Sequence, residues 1–398
     1  MMTTVTHFEC SRCGRRFEPG GPAARCPCGG PLLVRYNLEA VRQGWSREWL
    51  EHAPPTMWRY APLLPASGFG TSVSLGEGMT PLVRLPRIGE KAGMPNLWIK
   101  DDGVNPAGSA EARAASCWFT MALQMGLTEW QASADAVAAP ALALYGAAAG
   151  LPVRLALPAS ASRTSWLAVA AAGAVGESAE PDSNARAAGG SGAWPWPYRV
   201  EGLKTLGLEI AEQMRWNPPS AILCPAGDGA GLVGIWKAFE ELAAIGWLAT
   251  GPPRLFAVQA QGCAPLVDAY QRGLERCDAW PDPRTIAASI RAALPDADDL
   301  ILRILRSSGG GAIAVSDEEM LDAAIELARS EGVFASPEGG ASLAILRRLR
   351  EDGILTEADS AVLVNPASGF LYPEVFTVRF PRSATSEQDK LGGLITPR

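Results

Sequence analysis

The sequence predicts an α/β protein of two lobes, built on parallel-type sheets covered by helices, with a small cysteine ribbon at its N-terminal end. Three observations carry this. From about residue 72 onward, short apolar runs alternate with helical stretches. Four cysteines, Cys10, Cys13, Cys26 and Cys28, crowd into one short N-terminal stretch. The length of 398 residues suffices for two core-forming domains and a small appendage.

Each element follows from its residues. The run from Asn96 to Lys100 (NLWIK) reads as a strand and Ala112 to Gln124 as a helix. Leu151 to Leu157 and Ala361 to Val364 read as strands, and Ala221 to Cys224 as a buried strand before a glycine loop. Asp317 to Ser330 reads as a helix opened by Ser316, with Glu319 three residues on as in a capping box. Strands alternating with helices call for parallel sheets covered on both faces. Residues 176–197 are loop-like and predict a crossover between lobes. The expected division is a ribbon at 1–37, a large lobe at 38–95 and 198–380, a small lobe at 96–197, and a tail at 381–398.

In the ribbon, a C-x-x-C pair is followed by a C-x-C pair, each with glycine just after it. Glycine lets each knuckle turn tightly and aim two thiolates at one ion, and four thiolates suit tetrahedral zinc. Four protein ligands leave no open position, so the zinc expected at Cys10, Cys13, Cys26 and Cys28 is structural. The bland account is a degenerate ribbon that holds no metal. Cys117, Cys224, Cys263 and Cys277 are scattered and read as small core residues or ordinary thiols.

Composition excludes several functions. A net charge of −7 gives no field for attracting nucleic acid or anionic lipid. No apolar run approaches membrane-spanning length. Met1 to His7 lacks the charged-then-apolar pattern of a signal peptide, so a cytoplasmic location is expected.

Several segments in order then carry a resemblance. They are the ribbon running into RYNLE (35–39), SLGEGMTPL (74–82), IKDDGVNPAGS (99–109), PYRVEGLKT (197–205), PAGDGAGLVGIWKAF (225–239), AVQAQGCAPLV (257–267), SPEGGASLAILRRL (336–349) and NPASGFLYPE (365–374). Together they resemble threonine synthase, within the tryptophan-synthase-β-like, fold type II group of pyridoxal-phosphate (PLP) enzymes. The resemblance implies two α/β lobes, a cofactor cleft between them, and a homodimer.

At the positions that carry the family's chemistry, this sequence departs. The resemblance places the Schiff-base lysine in a motif like N-P-T-G-S-F-K-D-R, which here runs Asn105 to Arg113 with Glu111 in the lysine position. A carboxylate cannot condense with an aldehyde. The asparagine expected beside the cofactor's ring oxygen falls on Ala136 or Val137, and neither side chain donates a hydrogen bond. The hydroxyl residue expected near the pyridine nitrogen falls on Pro366, with Ser368 nearby. Three independent losses predict that PLP is absent.

Other features survive. Gly227, Asp228, Gly229, Ala230 and Gly231 match the family's phosphate-cradling loop, whose converging N–H groups suit an anion. Asp228 is awkward there if its carboxylate faces the cradle. The bland account is that the loop only closes a strand–helix turn. Arg199, Glu201, Lys204 and Thr205 also persist, as do Lys100, Asp101 and Asp102, and individually they read as ion pairs joining the lobes.

The expected function is therefore a repurposed, PLP-independent enzyme of lyase or isomerase type. Glu111 would be its acid–base residue, and Lys100, Ser109, Arg113, Lys204 and Ser368 would bind a small anionic substrate. The alternative is a non-catalytic relative serving as ligand sensor or partner subunit, with Glu111 paired to Arg113 or Lys100. An ordinary PLP-dependent threonine synthase is the third reading, and the substituted positions argue against it.

Overall fold

The computed structural model describes residues 4–20, 25–66, 71–179 and 194–380. In the ribbon, β1 (Val5–Cys10), β2 (Arg16–Phe17) and β3 (Leu32–Tyr36) form an antiparallel sheet of order β2-β1-β3. Next come β4 (Leu82–Arg84) and β5 (Leu97–Asp101). The strands β6 (Trp130–Ser133), β7 (Val153–Leu157) and β8 (Val175–Ser178) form a separate parallel sheet. Finally β9 (Ala221–Pro225), β10 (Arg254–Ala260), β11 (Gly311–Val315) and β12 (Ala361–Asn365) join β5 and β4 in a six-stranded sheet of order β11-β10-β9-β12-β5-β4. Only the edge strand β4 runs antiparallel in it.

The central strands are largely apolar because helices cover both faces, and β12 (AVLVN) is buried at every residue. There Leu363 stands opposite Leu223 on one side and Ile99 on the other. The boundary expected at residue 96 is corrected by this pairing, since β5 belongs to the large sheet. The small lobe is built around β6, β7 and β8 instead. A buried strand looks alike in either sheet, so the local pattern could not assign it. Of the expected crossover, 176–178 lie in β8, Trp196 and Pro197 open a helix, and 180–193 lie outside the described residues, as does the tail 381–398.

Several helices begin at a side-chain cap. Ser316 and Glu319 form a capping box at the Asp317–Glu331 helix, which stops at Gly332 with φ +76°. Ser336 caps the Pro337–Glu351 helix by accepting from the Gly339 amide, with Pro337 in the first turn. No described helix is long and apolar enough to cross a membrane.

Three helices meet closely under the site: Glu111–Gln124, Trp196–Gln213 and Ala230–Ala244. Glycine permits the approach. A Cβ on Gly202 would lie 2.4 Å from the Arg113 carbonyl oxygen, and one on Gly234 would lie 2.8 Å from the Lys204 nitrogen. Gly202→Ala is therefore expected to cost about 1–3 kcal/mol by overpacking. Urea unfolding monitored by circular dichroism measures it, and an unchanged midpoint would contradict this packing.

Candidate functional site

The chain leaves the sheet at the C-terminal ends of β9 and β12, which are neighbours although far apart in sequence. Crevices at such points are where open α/β sheets bind ligands. A third segment, the turn before the Glu111–Gln124 helix, is fastened to the β12 exit. The Ala110 amide donates to the Pro366 carbonyl at 2.8 Å, and the Ser368 amide donates to the Gly108 carbonyl at 2.9 Å. These bonds fix the start of the helix and with it the position of Glu111, which is only 9% exposed.

Glu111 is held there by Arg199. The Arg199 Nη2 donates to Oε1 of Glu111 at 2.6 Å and Nε donates to Oε2 at 3.2 Å, a bidentate fork. The remaining arm, Nη1, pairs with Asp228. Trp194 closes the other side, with the guanidinium carbon 4.9 Å from its ring centre. Burial works against the Arg199 charge, but Glu111, with Asp135 and Asp296 further off, holds its pKa above the usual arginine value. One arginine thus bridges the helix of the small lobe to the glycine loop of the large one.

That loop already carries an anion of its own. Asp228 Oδ1 accepts from the Ala230 amide at 3.1 Å, at the start of the Ala230–Ala244 helix. Gly229 has φ +91°, and a Cβ there would meet Ile301 Cδ1 at 2.0 Å, so only glycine fits. Gly227 has no more room, because its Cβ would lie 2.2 Å from the Ser289 carbonyl oxygen. Gly231 is unconstrained by comparison. The loop's acidic member turns in to the helix N-terminus and to Arg199.

The cations expected to hold an anionic substrate are each paired with a carboxylate, in line with the ion-pair reading of Lys100 and Lys204. Lys100 and Arg113 are fully buried and share Glu209. Arg113 also donates to Asp102 Oδ2 at 2.7 Å and to Thr205 Oγ1 at 3.0 Å, while Lys100 donates to the Thr80 carbonyl at 2.7 Å. Burial would raise the Glu209 pKa, but the charges of Arg113 and Lys100 win and bring it down to about 2. Lys204 is fully buried between Glu201 and Glu241, with Lys237 completing a four-charge cluster. Each of these charges is spent on a neighbour, so none is free for a ligand. Nor does Glu111 pair with Arg113 or Lys100.

The two expected hydroxyls are also occupied. Ser109 is fully buried with its hydroxyl 3.4 Å from the Val137 carbonyl oxygen, and Ser368 accepts from the Phe370 amide at 3.2 Å. At Ala136 and Val137 the chain offers backbone carbonyls to Ser165 and Ser109. Asp135, just before them, accepts from the amides of Val137 and Ala138 and so caps the Ala138–Ala148 helix.

Sequence reasoning missed two groups. One is the role of Arg199, whose signal was present: two unexpected carboxylates, Glu111 and Asp228, call for a cation to share. The other is the buried carboxylate of Glu338, where Oε1 accepts from Ser289 and from the Tyr372 hydroxyl at 2.6 Å while Oε2 has no partner. Nothing local in SPEGG announces it.

In the ribbon, the four cysteine sulfurs lie within 4.8 Å of one another. Cys10 and Cys28 are 3.5 Å apart, and Cys13 and Cys26 3.6 Å. A tetrahedron of thiolates about zinc has edges of roughly 3.8 Å for a metal–sulfur bond of about 2.3 Å. The cluster could therefore hold such an ion with little rearrangement.

Comparison with known proteins places this geometry. Residues 73–367 match the family described as pyridoxal-phosphate dependent enzyme. The threonine synthase of Methanosarcina acetivorans is 33% identical over 384 residues, covering 94% of this chain and 93% of that protein. That of Methanocaldococcus jannaschii is 30% identical over 377 residues, covering 92% and 93%. Among solved structures, an L-serine ammonia-lyase from Rhizomucor miehei superposes with a TM-score of 0.61 at 20% identity, covering 75% of this chain and 95% of that one. Maize serine racemase gives 0.61 at 20%, covering 76% and 93%. These two likenesses speak for the fold alone.

The residues in this crevice do not suit the cofactor of that family. The sequence has five lysines. The four among the described residues are committed to carboxylates, Lys91 to Glu326 at the surface and Lys100, Lys204 and Lys237 in the interior. The side chain paired with Arg199 at the lysine's expected position is a carboxylate, and Asp228 already accepts from the Ala230 amide at the helix start.

Two outcomes follow. Arg113→Met is expected to destabilise the fold by about 3–5 kcal/mol, because it strands the Asp102 and Glu209 charges in the interior; denaturant unfolding reads this directly. Zinc titrated into the reduced protein is expected to bind at one ion per chain, and Cys13→Ser to weaken that binding at least tenfold, as followed with a chromophoric chelator.

Proposed function

The chain belongs to the pyridoxal-phosphate dependent enzyme family, in its threonine synthase-like, fold type II group, and from that premise we propose that it has dispensed with PLP and works as a non-catalytic binding module. In this reading it is a ligand sensor or a partner subunit, assembled as a homodimer and carrying structural zinc in its ribbon.

The observation that carries the proposal is the bidentate fork between Arg199 and Glu111. A carboxylate cannot form the Schiff base on which the family's chemistry rests. A carboxylate whose two oxygens both accept from one guanidinium is also poorly suited to acid–base work. Using it to move a proton means breaking a two-point, charge-assisted bond to Arg199. This weighs against the alternative, a PLP-independent lyase or isomerase using Glu111, as well as against ordinary threonine synthesis. The self-capped loop at Asp228 supports the same reading, since it removes the place where a phosphate would sit.

The expected outcome with added PLP is no Schiff-base absorption band, and no PLP-sized mass increase after borohydride reduction. A stoichiometric adduct on any lysine would return the chain to the PLP enzymes. A metabolite screen that found a reaction, slowed about a hundredfold or more by Glu111→Gln, would instead establish the acid–base alternative.

A further inference from the structure

The ribbon contacts neighbours of both Arg199 and Asp228. On the cationic side, Phe8 of β1 packs edge-on against Tyr198, the residue before Arg199, with ring centres 5.8 Å apart. Tyr36, at the end of β3, donates its hydroxyl to Glu201 at 2.5 Å, two residues beyond Arg199 on the same helix. The Tyr36 ring also lies beneath the ammonium groups of Lys204 and Lys237, at 4.2 and 4.6 Å.

On the anionic side, the contact comes from the second cysteine knuckle. Arg25, the residue before Cys26, donates to Asp296 Oδ1 at 2.5 Å and to its carbonyl at 3.3 Å. The Asp296 amide in turn donates to the Asp228 carbonyl at 3.2 Å. Arg12, from the first knuckle, reinforces this with two bonds of 3.2 Å to Asp299. Arg25 is itself oriented by the knuckle, through a 3.0 Å bond to the Gly29 carbonyl.

From these contacts we infer that the ribbon is a metal-responsive clamp on the cleft. A thiophilic divalent cation of the zinc class, held by Cys10, Cys13, Cys26 and Cys28, keeps Arg25 on Asp296, and so keeps Asp228 on Arg199. Metal binding and ordering are one equilibrium in thiolate knuckles of this size, so loss of the ion frees the arginines that the knuckles present. The Asp228 loop then loses its outer support, and the arm of Arg199 that it holds is released. The inference deepens the binding-module reading and rests on it, in that the metal state of the ribbon becomes what the cleft reports.

Hydrogen–deuterium exchange on the full-length protein tests this, comparing the zinc-loaded form with protein stripped by a chelator. Amides in 225–231 and 196–205 are expected to exchange about tenfold faster or more after stripping, while those of β10 and β11 keep their protection. The variant Arg25→Ala retains all four thiols. With zinc bound, as checked by native mass spectrometry, it is expected to show the same acceleration at 225–231. Acceleration confined to the ribbon on stripping, or a zinc-loaded Arg25→Ala that exchanges like the parent at 225–231, overturns the clamp. If stripping unfolds the whole chain, the zinc-loaded variant alone decides. A PLP adduct would overturn the function proposed above without changing these rates, and unchanged rates would overturn the clamp without creating a PLP site.

Discussion

The guanidinium of Arg113 is the constraint on which the cleft depends. It lies fully buried two residues into the helix that Glu111 begins, and it is forked to Asp102 just after β5 and to Glu209 on the Trp196–Gln213 helix. Three segments from three parts of the chain are thereby fixed on one planar group. The desolvation cost of such a cluster is high, and it is offset only if every charge finds its partner in good geometry. That requirement leaves the start of one helix and the face of the next a narrow range of relative positions. Glu111 and Arg199 then meet across the gap as a consequence.

This places the two charge systems of the interior in a clear relation. The Arg113 cluster and the Lys204–Lys237 cluster are dry and balanced, and they join secondary structure to secondary structure. The Arg199 bridge is smaller, its three side chains keep 12–16% exposure, and it joins the Glu111 helix to the Asp228 loop. Fully buried pairs specify geometry, whereas a pair at the margin of solvent can exchange partners at lower cost. The Arg199 bridge is thus the one of these three where a change in charge pairing has an outlet.

Much of the architecture was legible in the sequence because it rests on local rules. The apolar runs at Ala221–Cys224 and Ala361–Val364 became β9 and β12, and Ser316 with Glu319 formed the expected capping box. The ribbon's cysteines converged because their spacing and glycines leave few other arrangements. The site was less legible, for a different physical reason. Lys100 and Lys204 could be read in one dimension either as ion-pair partners or as ligand-binding cations, and only the fold reveals that Glu209, Glu201 and Glu241 neutralise them, as Glu209 does Arg113. The sheet to which β5 belongs was hidden for the same reason, since a strand buried on both faces carries no mark of its neighbours.

Tyr36 gives the ribbon a standing that its position at the front of the chain conceals. Its hydroxyl satisfies Glu201, and its ring covers two lysine ammonium groups in the interior of the large lobe. A ribbon attached only through surface arginines could be gained, lost or exchanged between relatives as a self-contained cassette. This one supplies a wall of the core it sits on. Deleting it would open a four-charge interior to water, so the boundary near residue 37 is a seam in the chain and not in the folding unit. The physical corollary is that a change at Tyr36 acts directly on Glu201, so ribbon and helix pair fold as one unit.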